Sequence, residues 1–75
     1  MVRDIDNYIV VDRDICHGKP TFKGTRIMVY LVLEMLEVGA TIKEIQEAYP
    51  SINKDHIKAA LHFAAGLTGK SRVRI

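Results

Sequence analysis

The chain has 75 residues, 48% hydrophobic and 27% charged, with a formal net charge of +2; that is the composition of one soluble folding unit and excludes a disordered or low-complexity chain. One cysteine, Cys16, excludes an intramolecular disulfide, and no apolar run approaches the ~20 residues that span a bilayer. A unit this short buries only about 60% of its unfolded surface, which predicts a homodimer, and the charged start MVRDIDNY lacks the apolar core of a signal peptide, which predicts a cytoplasmic protein.

In chain order, residues 1–7 alternate acids with Val2 and Ile5 and read as a loose arm. Residues 8–27 read as a β-hairpin and loop. Tyr8-Ile9-Val10-Val11 has the aromatic and β-branched content of a strand. Gly18, Pro20 and Gly24 then shape a loop, with a short strand at Thr21-Phe22 returning beside the first. A lone hairpin is marginal in water, so it needs the helices or a partner's hairpin to cover it, and Tyr8 and Val10 are expected at the dimer interface.

Residues 28–66 read as three helices. Over 28–38 the only charges are Glu34 and Glu37, and an apolar circumference implies burial on more than one side. One side is expected on the later helices; the other, with Tyr30, Val32 and Met35, suits a dimer interface. Gly39 stops this helix. Thr41 and Glu44 have the spacing of a capping box, and Ile42, Ile45, Ala48 and Tyr49 form the stripe of a second helix over 42–49. Pro50 ends it. Asn53 is a good N-cap, and Ile57, Ala60, Leu61 and Ala64 define the inward side of a third helix over 54–66, stopped at Gly66. The basic tail 67–75 alternates cations with Val73 and Ile75, as a frayed terminus or as a strand for a partner's sheet edge.

Two short helices joined by a tight turn match either a helix-turn-helix, whose second helix enters a DNA major groove, or an ordinary helical hairpin. Charge is unevenly placed. Residues 1–15 hold two arginines against four aspartates, while residues 41–75 hold six cations against three acids. A basic helical half is compatible with phosphate contacts. On the third helix Asp55, Lys58, Ala59 and His62 are expected to face outward, with Asn53 and Lys54 at the end that meets base edges. Lys43 on the preceding helix would contact the backbone. Arg26 stands beside two glycines and a lysine and reads either as a phosphate ligand or as part of a tight loop whose Thr25 hydroxyl serves the backbone. The DNA-binding set is therefore Arg26, Lys43, Asn53, Lys54 and Lys58.

No catalytic or metal set converges. His56 and His62 fall on different sides of their helix, and Cys16 and His17 are adjacent in sequence, where side chains rarely face each other. The expectation is a non-enzyme without cofactor. The rival to DNA binding is a protein-interaction module that uses helix 28–38 and the tail.

Gly18-Lys19-Pro20, Lys23-Gly24-Thr25-Arg26-Ile27, Gly39, Glu44-Ile45, Tyr49-Pro50 and Ile57 with Ala60-Leu61 occur in an order and spacing that resembles the bacterial and archaeal family called domain of unknown function 433. The resemblance runs over about residues 8–65. It implies a mostly α fold, a three-helix homeodomain-like helix-turn-helix bundle with a short N-terminal β-hairpin, paired as a dimer. It also implies the antitoxin of a type II toxin–antitoxin pair, which binds its own operator and a PIN-like ribonuclease toxin encoded nearby. The sequence departs from many antitoxins in its short tail, so toxin neutralisation is the less supported half of that expectation.

Overall fold

Where composition suggests only a loose arm, the chain begins with a strand. The computed structural model describes residues 2–69. Val2–Asp4 (β1) runs antiparallel to Ile9–Asp12 (β2), with Val2 opposite Asp12 and Asp4 opposite Val10. Asp6 shapes the connection, its Oδ1 accepting from the N–H groups of Tyr8 at 2.7 Å and Ile9 at 2.9 Å, an Asx-type turn. All three β1 residues are exposed. The strand is thus held by main-chain pairing and carries no apolar pattern by which to find it.

The expected return strand is present. Thr21–Phe22 (β3) pairs antiparallel with β2, Ile9 opposite Phe22 and Val10 opposite Thr21, giving a three-stranded sheet in the order β1-β2-β3. Between β2 and β3 the chain makes one tight turn at Cys16–Gly18, where all three residues have positive φ. After β3, Thr25 organises the loop. Its hydroxyl donates to the Phe22 carbonyl at 2.8 Å and accepts from the Ile27 N–H at 3.0 Å. Gly24 beside it sits at φ +76, a backbone region that costs an L side chain roughly 1–2 kcal/mol. Thr21 then bridges to Met28, and the Val29 N–H donates to the Pro20 carbonyl at 2.9 Å.

Three helices follow: Val29–Glu37 (α1), Ile42–Ala48 (α2) and Lys54–Leu67 (α3). The first ends as predicted at Gly39, with the Ala40 N–H reaching Met35 O and the Gly39 N–H reaching Leu36 O, a Schellman pattern. The expected capping box opens α2, Thr41 and Glu44 each accepting the other's backbone N–H. At α3, Asn53 Oδ1 accepts from the N–H groups of Asp55 and His56, and His56 Nδ1 lies 3.1 Å from the Asn53 backbone nitrogen. A histidine therefore takes the place of the usual Glu or Gln of the box. Ile52 before the cap and Ile57 one turn into the helix are both buried in the core, the arrangement of a hydrophobic staple.

The core joins Ile9 and Phe22 of the sheet to Val29 and Val32 of α1, Ile45 of α2, Ile52 of the turn, and Ile57, Ala59 and Ala60 of α3. Burying a side chain the size of Ile or Phe contributes roughly 1.5–3 kcal/mol each.

Several expectations are corrected here. Val32 is 0% exposed and Val10 is also buried, so both serve the chain's own interior and have no surface to offer a second copy. The inward face of α3 is rotated: Ala59, expected outside, is buried, while Leu61, expected inside, is 50% exposed. His56 draws that rotation, because its ring packs edge-on against Tyr8 (5.1 Å) and Phe22 (5.5 Å) and ties α3 to the sheet. In α2 only Ile45 is buried, and Ile42 is exposed. Gly66 lies within α3; the helix ends at Leu67, followed by the Thr68 cap and Gly69 at φ +77. The expectations for residues 70–75 lie outside the described residues.

Candidate nucleic-acid interface

The predicted DNA-binding residues fall on two separate parts of the fold. Asn53, Lys54 and Lys58 stand at the start of α3, and Lys43 stands in the first turn of α2; all four are exposed. Arg26 belongs instead to the β3–α1 loop. It is exposed, and its carbonyl accepts from Cys16 Sγ at 3.5 Å.

That loop is a poor anion cradle. The N–H groups of Gly18, Lys19, Phe22, Lys23, Thr25, Ile27 and Val29 each reach an oxygen of the chain itself. A phosphate nest needs several such groups unclaimed and convergent. Gly24 and Thr25 therefore build the loop, as the structural reading of this segment anticipates. The cations of the loop are also partly engaged, since Lys23 Nζ lies 3.3 Å from Asp4 Oδ2 on β1.

The α2–α3 corner differs. The two helices are joined by residues 49–53, with the Ile52 N–H donating to Tyr49 O at 2.9 Å. Among the described residues Lys43, Lys54 and Lys58 make no ion pair, so their ammonium groups are available to an external anion. Asn53 is less free. Its Oδ1 is occupied by two backbone amides, which leaves only the Nδ2 hydrogens for a base edge. Lys58 also has acidic company: it lines a shallow groove of about 370 Å³ together with Asp6, Tyr8, Asp55 and His62. The carboxylates weaken the local positive potential.

Of the predicted dimer residues, Tyr30 is 45% exposed. Met35 and Tyr8 are half-buried against the core. The largest apolar exposure at the α1–α2 corner is Val38, 82% exposed, and Ile42 at the start of α2 is exposed as well. Sequence reasoning singled out neither Val38 as a surface residue nor His56 as the sheet contact of α3. His56 three residues after an N-cap residue is the signal that could have found the latter.

Among the described residues no group of three His, Cys, Asp or Glu side chains is placed to hold a metal ion, and no helix is long and apolar enough to cross a membrane.

Comparison with known proteins places this surface in context. The family model described as "Protein of unknown function (DUF433)" matches residues 9–64. The uncharacterized protein y4eO of Sinorhizobium fredii is 36% identical over 62 residues, which is 80% of this chain and 28% of that protein. The crystal structure of a DUF433 member protein from Anabaena variabilis superimposes with a TM-score of 0.71 at 29% identity, over 79% of this chain and 58% of that one. The chain thus spans under a third of the curated relative and somewhat over half of the structural one.

Proposed function

This chain belongs to the DUF433 family, and we propose that it is a small DNA-binding protein that uses α2, the 49–53 turn and α3 as a helix-turn-helix. The observation that carries the reading is the exposed trio of Lys43, Lys54 and Lys58, without an ion pair among the described residues, on two helices with capped N-termini. Lys54 and Lys58 meet phosphates or base edges at the start of α3, and Lys43 contacts the backbone from α2. The N-terminal end of each helix adds its partial positive charge. Asn53 acts chiefly as the cap that fixes where α3 begins, and Arg26 is a secondary phosphate contact at most. A second copy docks on the apolar corner of Met35, Val38 and Ile42, and pairing two such modules doubles the phosphate contacts. By the family resemblance, the target is the protein's own operator and the further partner is a PIN-like toxin, which makes the protein an antitoxin.

The test is fluorescence anisotropy against DNA from upstream of the gene, with an unrelated duplex as control, at two salt concentrations. The expected result is preferential binding that weakens steeply with salt, because each phosphate contact releases counterions. Retained affinity after Lys54→Glu with Lys58→Glu would falsify the assignment of the interface.

A second reading is a protein-interaction module. It is favoured by Asp6 and Asp55 beside Lys58, and by Val38 and Leu67, which are large apolar residues open to solvent. An apolar contact persists as salt rises, so the same titration separates the two.

A further inference from the structure

Leu61 stands midway along α3 and is 50% exposed, although it belongs to the stripe that periodicity points inward. Taking ~100° per residue, Lys58 and Leu61 lie about 40° and 20° to either side of Lys54, so the three share one exposed face of the helix. We propose that Leu61 is a base-reading residue of this face, packing against the 5-methyl group of a thymine in the major groove. The proposal rests on the helix-turn-helix reading above and adds to it a source of sequence preference.

Charge selects the occupant of the face. Lys54 and Lys58 have no ion pair among the described residues, and their ammonium groups complement a phosphate backbone. Asp55 lies ~120° around the helix from Leu61, on the side of the groove it shares with Asp6 and His62. Apolarity then selects the contact. A leucine side chain neither donates nor accepts a hydrogen bond, and of the groups that unmodified base pairs present in the major groove only the thymine methyl is apolar. Along α3, Ile57 one turn before is buried, and Ala64 and Ala65 one turn after are small and half-buried. Leu61 is thus a single apolar contact point on this helix, matched to one methyl group. Spacing agrees. Leu61 lies ~10 Å along the axis from Lys54, so a helix following the groove sets it about three base-pair steps of ~3.4 Å from the pair that Lys54 meets.

The test is fluorescence anisotropy of the full chain with two duplexes of the same upstream sequence. One is made with thymidine and the other with deoxyuridine, which lacks the methyl and keeps the base pairing. The wild-type protein is expected to bind the deoxyuridine duplex roughly fourfold more weakly for each methyl buried. Leu61 is exposed and outside the core cluster, so Leu61→Ala should keep the fold. That variant is expected to bind both duplexes equally, near the wild-type affinity for deoxyuridine, with an unchanged salt slope. Leu61→Met, apolar and unbranched, should keep part of the preference. A wild-type preference near onefold, or one that survives Leu61→Ala, overturns the proposal and leaves the lysine contacts standing on the salt slope. Equal weakening of both duplexes by Leu61→Ala, with the preference intact, also overturns it and assigns the leucine to a contact between protein copies. Absence of salt-sensitive binding to either duplex overturns it together with the helix-turn-helix reading.

Discussion

The β3–α1 loop and the α2–α3 corner carry similar residues and use them in opposite ways. Both carry residue types that meet phosphates in other proteins: Lys23, Gly24, Thr25 and Arg26 in the loop, and Thr41, Lys43, Asn53, Lys54 and Lys58 at the corner. In the loop, Thr25 spends its hydroxyl on Phe22 and Ile27, and seven backbone amides between Gly18 and Val29 are committed within the chain. At the corner, Thr41 and Asn53 are likewise spent on caps, but three lysines on the same two helices are left with no ionic partner among the described residues. Polar composition alone does not separate a scaffold from a surface. What separates them is whether the hydrogen-bonding groups are already used.

The comparison implies that loop and core substitutions act on stability, whereas corner substitutions act on binding. Phe22→Ala breaks the packing of the sheet on α3 and should cost ~3–5 kcal/mol, read as a loss of midpoint in urea. Thr25→Val keeps the shape but strands the Ile27 amide, while the Phe22 carbonyl keeps the backbone N–H of residue 25; a cost of ~1–3 kcal/mol is expected, with DNA affinity of the folded fraction unchanged. A fall in that affinity would move the loop from scaffold to interface.

Asn53→Ala should cost ~1 kcal/mol by uncapping α3. Asn53→Ser keeps a capping oxygen and removes the amide, so it should restore most of that stability; weaker DNA binding in the Ser variant at wild-type stability would show that Nδ2 reaches the DNA. Smallest in stability is Lys58→Ala, expected within about 0.5 kcal/mol of the parent. In the salt dependence of DNA binding, the same change should lower the slope by about one phosphate contact.

Much of the helical half is readable from its punctuation. Gly39, Thr41 with Glu44, Pro50 and Asn53 each perform a backbone task that other residues perform poorly, so the observed helices start and stop within a residue or so of expectation at these points. The Thr21-Phe22 strand is readable for a similar reason, because breakers flank it and a β-branched strand precedes it. β1 is not readable: an exposed edge strand has no buried face, so no hydrophobic alternation marks Val2–Asp4. The direction α3 faces is also missed. Its stripe contains many alanines, which fit inside or outside, and the deciding contact is His56 against Tyr8 and Phe22 across the chain. Val10 and Val32 are misassigned because periodicity says that a residue is buried without saying by what. The candidate site shares that limit: the lysines and Asp55 are visible in sequence, but the other acidic neighbour of Lys58, Asp6, comes from the β1–β2 turn.

The cap of α3 has one more consequence. His56 Nδ1 lies 3.1 Å from the Asn53 backbone nitrogen and 3.0 Å from Asn53 Oδ1. One side chain thus closes the capping box of α3 and packs edge-on against Tyr8 and Phe22 of the sheet. The residue at which the helix begins and the direction in which it meets the sheet are therefore fixed by the same imidazole, and a substitution at position 56 changes both at once.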